Sequence, residues 1–225
     1  MGPRALRALS PADLITAANA VIGFVAIAVA TRAPGLAARL VLLAGITDAL
    51  DGIVARRWGG SAVGPYLDSL ADVASFGVGP AIMVVGIAGV SLDARAVLPI
   101  ALGGVFVGAA VVRLALYTAY DTDQPSTRGV QTTLAATILA AGLLAGVPRL
   151  ALVVGLGGFA VLMLSEAVYP DLRVRDGLLM GGIQALALGL PNAFGAVFPK
   201  ALLAWALAYL VLGPRFYPGP EGKRS

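Results

Sequence analysis

The chain has 225 residues, 59% of them hydrophobic and 12% charged, with a formal net charge of +4 and neither cysteine nor histidine. With a mean hydropathy of +0.89, it falls outside the range of soluble globular proteins and reads as an all-α, polytopic membrane bundle forming a single domain over residues 1–225. The missing cysteine excludes disulfides, thiolate nucleophiles and cysteine–zinc sites, while the missing histidine leaves oxygen ligands for any metal and a carboxylate for any general base.

About 20 apolar residues cross a bilayer as a helix. Runs of roughly that length fall at 13–30, 36–56, 66–90, 96–119, 130–147, 149–168, 176–191 and 195–213, the seventh being short. The N-terminal MGPRALRALSPADL is basic, but no small-residue cleavage site follows at the usual distance, so the first run is expected to be a retained helix. Turn residues separate the runs, among them Ala33-Pro34-Gly35, Trp58-Gly59-Gly60-Ser61, Gln124-Pro125-Ser126 and Tyr169-Pro170-Asp171. Eight spans put both termini on one side. Arg4, Arg7, Arg56, Arg57, Arg128, Arg173, Arg175, Arg215, Lys223 and Arg224 lie on that side, against Arg32, Arg39, Arg95, Arg149 and Lys200. This bias places the termini in the cytoplasm. The basic residues are scattered between apolar runs, which fits topology signals and lipid headgroups and gives no reason to expect nucleic acid as a partner.

The second and third runs are interrupted by acid. Asp48 and Asp51 are three residues apart and Asp68 and Asp72 four apart, so on helices each pair projects from one face and four carboxylates can converge from neighbouring helices. Charge at membrane depth is costly and by default marks a functional site with a partner. Two divalent cations, Mg²⁺ or Mn²⁺, would neutralise such a quartet and suit its hard oxygen donors. A two-metal centre clamps an in-line displacement at phosphorus. Gly52 and Ala55 share the helix of the first pair and leave room for a ligand, and Arg56, one turn beyond Gly52 at the interface, can bind phosphate. Gly64 would permit close approach of a nucleotide ring or of the backbone turning into the third helix. The expected substrate is a nucleotide pyrophosphate joined to a membrane-resident group.

Written D-x2-D-G-x2-A-R-x7-G-x3-D-x3-D, the stretch from Asp48 to Asp72 resembles the signature of the CDP-alcohol phosphatidyltransferase family. That resemblance implies an integral membrane enzyme that moves a lipid phosphatidyl group from a CDP-linked donor, CDP-diacylglycerol or CDP-archaeol, to an alcohol and releases CMP. It implies Asp48, Asp51, Asp68 and Asp72 as metal ligands, Asp72 also as the base that deprotonates the acceptor, and Gly52, Ala55, Arg56 and Gly64 as CDP contacts. It further implies a homodimer in the cell membrane with the active site facing the cytoplasm. Residues 68–81, DSLADVASFGVGPA, are similar to the matching segment of the serine-using members, which implies L-serine as the acceptor; LITAANAVIGF around Asn19 and VVRLALY around Arg113 echo them more loosely.

Arg113, deep in the fourth run, is a candidate for the acceptor pocket, because an arginine at that depth requires a partner. Arg128, after Pro125, could meet the serine carboxylate or a lipid phosphate. Ser75 and Asn19 could bond the acceptor or join helices. Glycerol phosphate or inositol phosphate as acceptor would keep the reaction but demand more cationic groups. A cation transporter is an alternative of another class, with no use for the CDP-contact positions.

Overall fold

The computed structural model describes residues 9–89, 94–121, 126–170, 172 and 174–216. Among them are eight helical segments, each overlapping one of the apolar runs. Helix α1, Pro11–Val29, starts with a capping box: Asp13 donates its N–H to Ser10 Oγ at 3.3 Å, and Ser10 N–H donates to the Asp13 carboxylate at 2.6 Å. Pro11 occupies the first turn, where its missing N–H costs nothing. Helix α2, Pro34–Trp58, likewise begins with proline and ends at Gly59, whose φ of +88° suits glycine. The helical segment α3, Gly64–Ala88, contains a π-turn over Val73–Val78, immediately after Asp72. In this wider turn Gly79 N–H reaches back five residues to Ala74 O, and Pro80, which has no N–H to donate, follows at once.

Helix α4, Ala94–Leu116, passes into a second π-turn at Tyr117–Asp121. Helices α5, Thr132–Leu144, and α6, Arg149–Met163, are short, and α5 is buried almost throughout, from Leu134 to Gly142. Helix α7 is Val174–Gly189 and α8 is Val197–Phe216. Helices α1, α3 with its π-turn, α4 from Val97 through its π-turn, and α8 are long and apolar enough to cross a membrane.

The core groups Leu42, Phe76, Met83, Phe106, Leu139, Leu156 and Leu202 with many alanines. Small residues let the helices approach, though unevenly. A Cβ on Gly103 would lie 2.9 Å from Val85 Cγ2 and one on Gly157 3.0 Å from Leu102 Cδ2, whereas Gly104 and Gly158 face open space.

One departure from the all-helical expectation bears on the site. The sixth apolar run extends to 168, but α6 stops at Met163, and Val168–Pro170 forms a strand, β2, antiparallel to β1, Ser126–Arg128. The register pairs Ser126 with Pro170, Thr127 with Tyr169 and Arg128 with Val168. The β1 strand ends at Gly129, which has a φ of +73° and lies so close to α6 that an added Cβ would run into the Met163 carbonyl.

Candidate active site

Carboxylate oxygens of Asp48, Asp68 and Asp72, one from each residue, all lie within 4.8 Å of one another. Asp51 stands apart: it is buried and accepts a 2.6 Å hydrogen bond from Thr16 Oγ1 on α1. Helix geometry explains the split. At about 100° per residue, a four-residue step leaves two side chains about 40° apart, whereas a three-residue step leaves them about 60° apart on the other hand. Asp68 and Asp72 therefore point together, while Asp48 turns towards them and Asp51 towards α1.

The three-carboxylate group fits a hard divalent cation. Its donors are all oxygen, and oxygens opposite each other around Mg²⁺ are about 4.2 Å apart. Asp68 Oδ1 and Asp72 Oδ1 are buried without a hydrogen-bond partner, a costly arrangement that a cation would relieve.

These carboxylates form one wall of a cavity of about 170 Å³. Arg113, Tyr117, Ser126, Thr127, Gln131 and Thr133 line the rest with Leu114. The guanidinium of Arg113 donates from Nη2 to Thr127 Oγ1 at 3.1 Å and from Nη1 to Thr132 Oγ1 at 3.4 Å, and lies 5.3 Å from the Tyr117 ring centroid. Its Nε is buried and has no partner. Arg113 is only 7% exposed, so the same cavity is lined by a buried cation and three acids.

The other expected site residues are placed as follows. Arg56 is exposed and folds back along α2: a Cβ on Gly52 would lie 3.3 Å from its Nη1, so the small residue here admits the guanidinium. Ala55 is half-buried on the same helix. A Cβ on Gly64 would approach Asp13 Oδ1 to 3.2 Å, so this glycine serves the close contact between α1 and the start of α3. Ser75 and Asn19 do not line the cavity. Ser75 Oγ donates to the Asn19 carbonyl at 3.0 Å, joining the π-turn to α1, and the Asn19 side-chain amide is fully buried with neither polar atom partnered. Arg128 is the exposed residue of β1, its N–H 3.5 Å from Asp121 Oδ2, while Thr127 beside it turns inward.

Four polar cavity residues, Ser126, Thr127, Gln131 and Thr133, are absent from the sequence-based candidates. Their signal was a cluster of uncharged polar groups around the start of the fifth apolar run.

The profile of the CDP-alcohol phosphatidyltransferase family matches residues 9–166. The chain is also 32% identical over 163 residues to an archaetidylserine synthase of Methanothermobacter thermautotrophicus, covering 70% of this chain and 68% of that one. The family match includes every residue lining the cavity and ends before β2, α7 and α8.

Proposed function

The chain belongs to the CDP-alcohol phosphatidyltransferase family, and from that premise we propose that this enzyme of phospholipid synthesis transfers the lipid phosphoryl group of a CDP-linked lipid to the hydroxyl of L-serine, releasing CMP. The observation that carries the choice of acceptor is the cavity itself, lined by Asp48, Asp68 and Asp72 together with a buried arginine, Arg113. Serine has a hydroxyl to be deprotonated and a carboxylate to be held, a short distance apart. Asp72 takes the hydroxyl proton, and the Arg113 guanidinium, braced by Thr127 and Thr132, receives the carboxylate. The serine oxygen forms the new bond to the lipid-side phosphorus as the pyrophosphate P–O bond breaks and its electron pair leaves with CMP. The similarity to an archaetidylserine synthase supports the same acceptor.

Asp48, Asp68 and Asp72, with Asp51 on the α1 side, would hold two divalent cations, Mg²⁺ or Mn²⁺, which supply neutralisation of the pyrophosphate charge. Gly52, Ala55, Arg56 and Gly64 make the CDP subsite, with Arg56 on the phosphates. Ser75 and Asn19 act by fixing the π-turn behind Asp72 rather than by touching serine, and Arg128 faces lipid phosphate outside the cavity. The chain is a single domain whose eight helices traverse the bilayer with both termini and the site on the cytoplasmic side, and it pairs as a homodimer. The donor is CDP-diacylglycerol or CDP-archaeol.

Glycerol phosphate and inositol phosphate carry a dianionic group, and Arg113 is the one cationic side chain lining the cavity among the described residues. A transport site for cations has no use for an arginine there. The test is a panel of radiolabelled acceptors offered to the purified protein with each CDP-lipid and Mg²⁺ or Mn²⁺. Label from serine should enter lipid. Incorporation of inositol phosphate or glycerol phosphate without serine overturns the assignment.

A further inference from the structure

Arg113 is braced by Thr127, and Thr127 sits in a strand only three residues long. Two such strands have too few ladder bonds to stand alone, so the position of β1 is set by what holds the pair. On one side Gly129 N–H donates to Ala167 O at 2.8 Å, one step beyond the ladder, and Val130 N–H donates to Leu162 O at 3.0 Å, tying the exit of β1 to the end of α6. On the other, β2 is fastened to α8 by two tyrosines in exchange. Tyr209 of α8 donates its hydroxyl to Pro170 O at 2.6 Å, and Tyr169 of β2 donates its own to Leu210 O at 3.0 Å, the two rings lying 6.0 Å apart. Both tyrosines are buried. Tyr169 is also the residue paired with Thr127 across the ladder.

We infer that Tyr169 and Tyr209 are positioning residues for acceptor recognition: through β2 and β1 they hold the Thr127 hydroxyl where it orients the Arg113 guanidinium. The inference rests on the assignment of Arg113 to the acceptor. It gives α8, which lies beyond the residues matched by the family, a part in the active site. The connection runs to one wall of the cavity. The carboxylates are on α2 and α3, outside the bonds that hold β1 and β2 to α6 and α8, so loosening the strands weakens the hold on serine and spares that on the donor.

The experiment compares full-length wild type, Tyr209→Phe, Tyr169→Phe and Thr127→Val, measuring initial rates with radiolabelled L-serine and CDP-diacylglycerol varied in turn, alongside thermal unfolding. Removing one buried hydroxyl bond should raise KM for serine about five-fold, with KM for the CDP-lipid within about two-fold of wild type. Tyr209→Phe combined with Thr127→Val should be little worse than Thr127→Val alone, because both act through the same guanidinium. Tyr169→Phe gives a second, separate break should Tyr209→Phe not fold. Equal rises in both KM values, a fall in kcat with both KM values unchanged, no change, or strict additivity of the double variant overturns the inference. If the wild type makes no product from serine, the acceptor assignment fails instead, and the same comparison is made with the acceptor from the panel that does react.

Discussion

Replacing Arg113 separates the two halves of the proposed reaction. The Arg113 guanidinium spends Nη1 and Nη2 on Thr132 and Thr127 and keeps a buried, unpartnered Nε beside the cavity. Lysine would keep the charge but carries its donors on one atom, so it cannot brace against both threonines and still offer a planar pair of N–H groups to a carboxylate. A hydrogen bond to a charged group is worth about 1.5–3 kcal/mol, or about 10- to 150-fold in binding. Arg113→Lys should therefore raise KM for serine by about ten-fold, and Arg113→Gln, which also removes the charge, by about a hundred-fold. KM for the CDP-lipid should stay within about two-fold in both, since the proposed CDP subsite lies on α2 and α3. The charge also opposes cations at the nearby carboxylates, so the divalent concentration needed for half-maximal activity should fall in the glutamine variant and not in the lysine variant. Steady-state rates with each substrate and the metal varied in turn measure all three. An unchanged serine KM in Arg113→Gln, or a donor KM rising in proportion, would refute the role given to Arg113.

Asp72→Asn should lower kcat by about a thousand-fold while CDP-lipid binding, measured by calorimetry, partly survives; full activity would remove Asp72 as the base. Thr16→Val removes the 2.6 Å donor to Asp51 and should weaken divalent binding about ten-fold, read by the free Mn²⁺ signal in electron paramagnetic resonance; unchanged affinity would exclude Asp51 from the metal set. Gly23→Ala would put a Cβ 2.5 Å from Ser75 Oγ and 2.9 Å from its N and Cα, costing about 1–3 kcal/mol in a thermal or denaturant melt. Because the obstruction is backbone, Ser75→Ala should not restore it.

Much of the helical layout was legible because a chain this apolar punctuates itself with proline, glycine and charge, and the breaks at Pro34, Gly59-Gly60 and Pro148 coincide with helix ends. Uniform apolarity also erased detail. Residues 164–168 read as more of the sixth run: Ser165 and Glu166 break its apolarity, but two polar residues near a membrane surface do not distinguish a helix end from a strand whose partner lies about forty residues earlier. The π-turn after Asp72 was equally hidden, because it changes the hydrogen-bond register without changing which residues are apolar. Among site residues, the spacing of the aspartates led to four converging carboxylates, of which Asp48, Asp68 and Asp72 meet, but a motif written as letters could not show that Asp51 turns to Thr16. Arg113 could be singled out because a deep arginine needs a reason. Thr127 could not, since only the strand alternation that sends Arg128 outward brings its hydroxyl in.

The two aspartate pairs sit on helices joined by an exposed turn containing Gly59 and Gly60, and such a turn cannot hold α2 and α3 to the fraction of an ångström that phosphoryl transfer requires. Helix α1 can. One buried stripe along it touches each part of the motif in turn: Asp13 at Gly64, Thr16 at Asp51, and the Asn19 carbonyl and Gly23 at Ser75 in the π-turn behind Asp72. These positions recur every three or four residues, so a single rigid helix reads out the spacing between the other two. The accuracy of the site thus resides in helix packing rather than in the loop. Substitutions at exposed Ala62 or Val63 should be borne with little loss, while changes of equal size at Thr16 or Gly23 act on the carboxylates from outside the motif.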